Sequence, residues 1–182
     1  MFTLETCSDY ALFNDEINSL IESARPYAFS MYGAGEIYAD EVEEAIREKL
    51  GYFDSSHCGA DEDTLTALRD RLDEFADDMS RADDICDNMD ISIIWDDDAL
   101  DFYRENQSEC DDALDEYYDG PSGTSCNTAL QVVVKAANCG LDAIVRSAVY
   151  EWTSNLEDEI RSAVDEIDEI ISEIDNEYGD DI

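Results

Sequence analysis

Four stretches hold residue types that carry out chemistry in other proteins. The only histidine, His57, lies in SSHCG beside Ser55, Ser56 and Cys58. A Ser or Cys nucleophile needs a base held by a third group in a defined site. Side chains adjacent on a loop rarely face each other, so His57 reads as an ordinary loop histidine. DNMDISIIWDDD (87–98) has the acids of a calcium loop but no glycine at the central turn that a twelve-residue EF-hand requires. DEDT (61–64) reads as a helix start. MYGAGEIY (31–38) lacks both the third glycine of a dinucleotide fingerprint and the Lys-Ser/Thr ending of a phosphate loop. Paired carboxylates occur throughout, but an acid–base pair needs one partner with its pKa raised by burial. Adjacency among 49 acids is not diagnostic of that. The expectation is no catalytic residue, no dedicated metal site, no cofactor and no enzymatic activity.

What remains is the charge itself. The 182-residue chain has a formal net charge of -39, with only ten Lys and Arg against 49 Asp and Glu. Yet 44% of it is hydrophobic, with ten Tyr and six Phe, which argues for a packed core and against a disordered acidic tail. With so few cations, most acids cannot be paired. Direct binding to nucleic acid or to anionic membranes is excluded on sign, since both need Lys and Arg. The expected partner is a basic surface. No run approaches the roughly 20 apolar residues of a membrane helix. MFTLETCSDY shows neither a basic segment nor an apolar one of the secretory kind, so a cytoplasmic location is expected. Six widely spaced cysteines (Cys7, Cys58, Cys86, Cys110, Cys126, Cys139) form no C-x-x-C pair and read as free thiols.

The elements that display the acids are read as helices, because only two prolines interrupt the chain. Ser8 caps a first helix whose apolar face is Phe13, Ile17, Leu20, Ile21 and Ala24, ending near Pro26. A second spans roughly 36–50, with Tyr38, Val42, Ala45 and Ile46 inward and Gly51 as its cap. Leu65, Leu68, Leu72, Phe75, Ala76, Met79 and Ala82 keep helical spacing in a third. ISIIW (91–95) is the most strand-like run, with FTLET (2–6) as its candidate partner, and reads equally as a buried connector. A short helix over 96–107 and another begun by Ser108 follow, closed by a DGPSG turn (119–123). Ser125 opens CNTALQVVVKAAN, the least charged segment, expected in the core. Gly140 is expected to separate it from a last helix. That helix carries Leu141, Ile144, Val145, Ala148, Val149, Trp152, Leu156, Ile160, Ala163, Ile167, Ile170 and Ile174, an apolar seam at alternating spacings of three and four that suits a coiled coil or a bundle edge. The fold class is mainly α: a helical bundle with a long acidic C-terminal helix, plus one short strand pair if 91–95 finds a partner. A single domain over 1–182 is the first reading, and a division into 1–90 and 91–182 the alternative.

Two regions concentrate the acids. In 157–182, twelve of 26 residues are Asp or Glu and Arg161 is the only cation. The second region is 96–119. Duplex DNA carries one charge per roughly 1.7 Å of axis, so a net charge of this size corresponds to roughly 65 Å of duplex. Local density selects Asp96, Asp97, Asp98, Asp101, Glu105, Asp111, Asp112, Asp115 and Glu116 as partner-binding candidates in one region. In the other it selects Glu157, Asp158, Glu159, Asp165, Glu166, Asp168, Glu169, Glu173 and Asp175.

In size, charge and helix-borne carboxylates the chain resembles the phage- and plasmid-encoded DNA mimics that inhibit restriction enzymes, the Ocr and ArdA type. WDDDALDFYRENQSECDDALDEYYDG and EDEIRSAVDEIDEIISEIDNEYGDDI carry the resemblance. It is one of class and character, with no motif to align. It implies an inhibitor that occupies the DNA groove of a restriction–modification enzyme, a CRISPR effector or another DNA-binding protein. It also implies a dimer, for which the seam over Leu156–Ile174 offers a surface. Two competitors stand beside it. One is an acidic protein adapted to molar salt, to which 29 Asp and two Lys are suited. The other is a generic acidic module that binds a basic protein.

Overall fold

The computed structural model describes residues 10–27, 35–50, 62–89, 91–117 and 129–179, with side chains for 17–27, 38–50, 63–89, 91–116 and 129–174. Among the described residues the chain forms seven α-helices: α1 Tyr10–Ser23, α2 Gly35–Leu50, α3 Glu62–Met79, α4 Ala82–Asn88, α5 Asp96–Glu105, α6 Gln107–Tyr117 and α7 Ala129–Gly179. α7 packs against every other helix and organises the bundle.

The 51 residues of α7 contain no proline and form one unbroken helix, roughly 75 Å long at 1.5 Å per residue. The expected break at Gly140 does not occur. A single glycine costs a helix only about 1 kcal/mol, and here the missing Cβ has a use. A Cβ at Gly140 would lie 2.5 Å from Cys110 Sγ and 2.8 Å from Cys110 Cα. The glycine lets α6 seat directly on α7.

The seam is filled within the chain. Leu141, Val145, Ala148, Val149, Trp152, Leu156, Ile160, Ala163 and Ile167 are all buried. They join one core with Leu65, Leu68, Leu72, Phe75, Ala76 and Met79 of α3, Ile17, Leu20 and Ile21 of α1, and Tyr38, Val42 and Ile46 of α2. Burying each large aliphatic side chain contributes about 1.5–3 kcal/mol. Trp152 is the largest fully buried side chain, and its Nε1–H donates to the Ile21 carbonyl at 2.8 Å. The stretch that would have zipped two copies together, Leu156 to Ile167, is therefore already covered by α3. Only Ile170, Ile171 and Ile174 remain partly exposed beyond it.

Polar contacts fix the pairing as antiparallel. Arg69 of α3 reaches Asp168 at 3.1 Å, and Arg161 reaches Asp73 at 3.3 Å and Asp77 at 3.0 Å. Farther along, the Tyr150 hydroxyl donates to Asp83, and Arg146 reaches Asp87 at 3.4 Å. As the position on α3 and α4 rises, that on α7 falls in step.

Three further expectations change. First, no strand occurs among the described residues. ISIIW runs between extended residues, Met89 and Trp95, but side chains replace a partner strand. The Ser92 N–H donates to the Tyr38 hydroxyl at 3.0 Å, the Ile94 N–H donates to Asn138 Oδ1 at 2.9 Å, and Asn138 Nδ2 donates to the Ile94 carbonyl at 2.9 Å. FTLET, like Ser8, His57, Gly51 and the DGPSG turn, lies outside the described residues. Second, the break between α5 and α6 falls at buried Asn106 rather than at Ser108. Asn106 closes α5 with both its backbone N–H and its Nδ2 on the Phe102 carbonyl, each at 3.0 Å. Third, the apolar start of α7 enters the core only from Ala136. Leu130 and Val132 are 47% and 42% exposed, because α5 and α6 cover one side alone.

Candidate functional site

The cations explain where the uncompensated charge ends up. Arg69, Arg146 and Arg161 are spent as cross-links between α7 and the α3–α4 arm. Arg47 ties α2 to α1, donating to Asn18 and, at 2.9 Å, to Glu43. Arg71 pairs with Glu74 at 2.8 Å and donates to the last-turn carbonyl of Lys49 at 3.0 Å. Arg104 pairs with Asp101 at 2.7 Å. With the arginines drawn largely to helix contacts, the outward faces are left to carboxylates.

Of the acids selected from sequence, Asp96, Asp97, Asp98, Asp101, Glu105, Asp111, Asp112, Asp115, Glu116, Asp158, Glu159, Asp165, Glu166, Asp168, Glu169 and Glu173 are exposed. Glu157 is half-buried, its carboxylate held by Arg161 at 2.8 Å. The side chain of Asp175 lies outside the described residues. Among the described residues Asp101 and Asp168 are in the arginine pairs above, Glu157 is held by Arg161, and Asp111 accepts from the Tyr103 hydroxyl at 2.8 Å. That bond raises the Tyr103 pKa, and the Asp83 contact raises that of Tyr150.

The structure does not gather these acids into one patch. α5 and α6 lie beside the first third of α7, as the Asn138–Ile94 and Gly140–Cys110 contacts show. The second group projects from α7 itself, beyond residue 156. One helix therefore runs beneath both groups. Within the second group, Asp158–Glu159 and Asp165–Glu166 are seven residues apart, two helical turns, and so project to the same side about 10.5 Å from each other.

Among the described residues no group of three His, Cys, Asp or Glu is placed to hold a metal ion. A cleft of about 1000 Å³ between α6 and α7 is lined by Glu116, Lys135, Cys139, Asp142 and Arg146 among others. Arg146 is bound there by Asp142 at 3.2 Å. Burial pushes the Cys110 thiol up to about 11 and raises Cys86 and Cys139 as well, so these thiols are poor nucleophiles near neutral pH. No helix among the described residues is long and apolar enough to cross a membrane. No protein-family model, curated protein or solved structure matches the chain.

The roles of the cross-linking arginines, and of Tyr38 and Asn138 as partners of 91–95, are not visible in the sequence. Their partners lie tens of residues away, and only the antiparallel pairing brings them together.

Proposed function

We propose that the protein is an anionic decoy. It occupies the basic DNA-binding groove of a host defence protein, such as a restriction–modification enzyme or a CRISPR effector, or of another DNA-binding protein, and blocks DNA by competition. The observation that supports this best is the continuous α7 carrying two groups of exposed carboxylates along one stiff axis. Flexible acids can attract a basic groove, but acids fixed on a helix need not be ordered when they bind, which lowers the cost of association. The opposite charges of decoy and groove also accelerate encounter. The competing surface is formed by Asp96–Asp98, Glu105, Asp112, Asp115 and Glu116 at one end, and by Asp158, Glu159, Asp165, Glu166, Glu169 and Glu173 at the other.

The test is displacement of a fluorescent duplex from purified restriction–modification and CRISPR effector proteins, followed by anisotropy across a salt series. Displacement that weakens steeply with salt is expected. Neutralising both carboxylate groups to Asn and Gln abolishes it while the helical circular dichroism is kept. If the protein binds a basic partner that keeps its DNA, it is a general acidic module instead. If no partner is bound and the fold requires molar salt, its acidity is salt adaptation.

A further inference from the structure

The connector 91–95, extended at Trp95, has two edges, and among the described residues only one is occupied. In an extended chain the N–H and C=O of alternate residues point to opposite sides. Ser92 and Ile94 face inward and are satisfied by Tyr38 and Asn138. Ile93, between them, faces outward, with no hydrogen-bond partner for its backbone among the described residues. Its side chain is 61% exposed, and that of Trp95, two residues on and therefore on the same face, is 62% exposed. Beneath them lies a groove of about 390 Å³, floored by Leu130 and Val134 of α7 and flanked by Lys135 and Asp96. Asp96 has a φ of 48°, unusual for a residue with a side chain. It turns the chain sharply into α5, so that exposed Asp96, Asp97 and Asp98 stand at the end of the open edge.

We propose that this edge is a docking site for an extended segment of a partner protein, added as a β-strand. The segment would alternate aliphatic residues with Lys or Arg. Backbone hydrogen bonds to Ile93 hold the incoming strand, its aliphatic side chains enter the groove over Leu130 and Val134 beside Trp95, and its cations, on the strand's other face, meet Asp96–Asp98. Charge complementarity selects the basic occupant: the open edge is a short apolar notch ending in three carboxylates on a strongly anionic protein. The site does not depend on the decoy reading, since it recognises a peptide backbone and not the footprint of a nucleic acid.

The experiment uses the full-length protein and a fluorescein-labelled peptide alternating valine with arginine. The controls are the same peptide N-methylated on alternate backbone nitrogens and a glutamate-for-arginine version. Ile93→Pro removes the central outward donor while keeping an extended backbone at Ser92. Expected is binding that survives about 0.3 M salt, where diffuse attraction between exposed charges is screened. Binding should fall roughly tenfold or more on N-methylation, with Ile93→Pro and with Trp95→Ala. Slowed hydrogen exchange at the Ile93 amide in the wild-type complex is expected as well, and reads the site without any substitution. Equal binding by the N-methylated peptide, or an unprotected Ile93 amide, would overturn the proposal. Ile93→Pro should still displace duplex from a target of the decoy, so failure of either idea leaves the other standing.

Discussion

Asn138 shows how one side chain can stand in for a strand. Its amide takes the Ile94 N–H and returns a hydrogen to the Ile94 carbonyl, both at 2.9 Å, while also donating to the Val134 carbonyl at 2.7 Å. Replacing it by Leu keeps the bulk and strips all three bonds, leaving the half-buried Ile94 N–H and carbonyl without them. A loss of about 1–3 kcal/mol is expected in urea unfolding, with Asn138→Asp intermediate because it retains the acceptor. The β-branched run 91–95 was legible as extended chain, since its composition alone disfavours helix. Its partners were not, because Tyr38 and Asn138 are 54 and 44 residues away and neither residue type advertises such a role. Cys110 gives a second residue-level prediction. Its buried thiol stays neutral up to about 11, whereas the ordinary value is 9.0. Above pH 9 the unfolded chain releases this proton and the folded one does not, so stability falls as pH rises from 9 towards 11. Cys110→Ala should flatten that part of the curve of urea midpoint against pH and leave the region below pH 8 unaffected in slope.

The helices themselves were legible from apolar spacing. Leu65 through Met79 and Leu141 through Ile167 fall on the buried faces that their periodicity marks. What local spacing leaves open is the use of these faces. A seam with spacings of three and four fits a second copy or a neighbouring helix equally well, and here α3 fills it. Gly140 was misread for a related reason. Judged by its own propensity it is a stop, but where two helices cross at close range the absence of a side chain matters more. Gly140→Ala separates these effects cleanly. Helix propensity alone would stabilise the variant by about 1 kcal/mol. The contact with the Cys110 backbone predicts the reverse, a loss of about 1–3 kcal/mol from overpacking, read as a lower thermal midpoint. Cys110→Ala in the same chain should restore only part of it, because the clash includes Cα as well as Sγ.

Net charge, visible in composition alone, acts on the molecule as a unit. A formal charge of -39 on 182 residues stresses the fold by self-repulsion, and the arginine cross-links relieve it at only a few points. Exposed pairs of this kind contribute little singly, about 0–1 kcal/mol. The expected outcome is a protein that is folded in dilute buffer, with a thermal midpoint that climbs with added sodium chloride and levels off near 0.5 M, roughly where the screening length falls below the spacing of neighbouring carboxylates. Thermal circular dichroism across a salt series measures this directly, and helical signal absent below molar salt would contradict it. The two acid-rich regions were legible as dense runs in the sequence, but their separate places along one helix were not, because those depend on where α5 and α6 pack along α7.

The uninterrupted passage of α7 through Gly140 makes that separation rigid. A hinge there would let the two carboxylate groups swing independently and adjust to grooves of many widths. Without it the molecule is a caliper of fixed opening: any target touched at both ends is gauged against one distance, and a clamp that tightens on its substrate would be wedged at a single aperture.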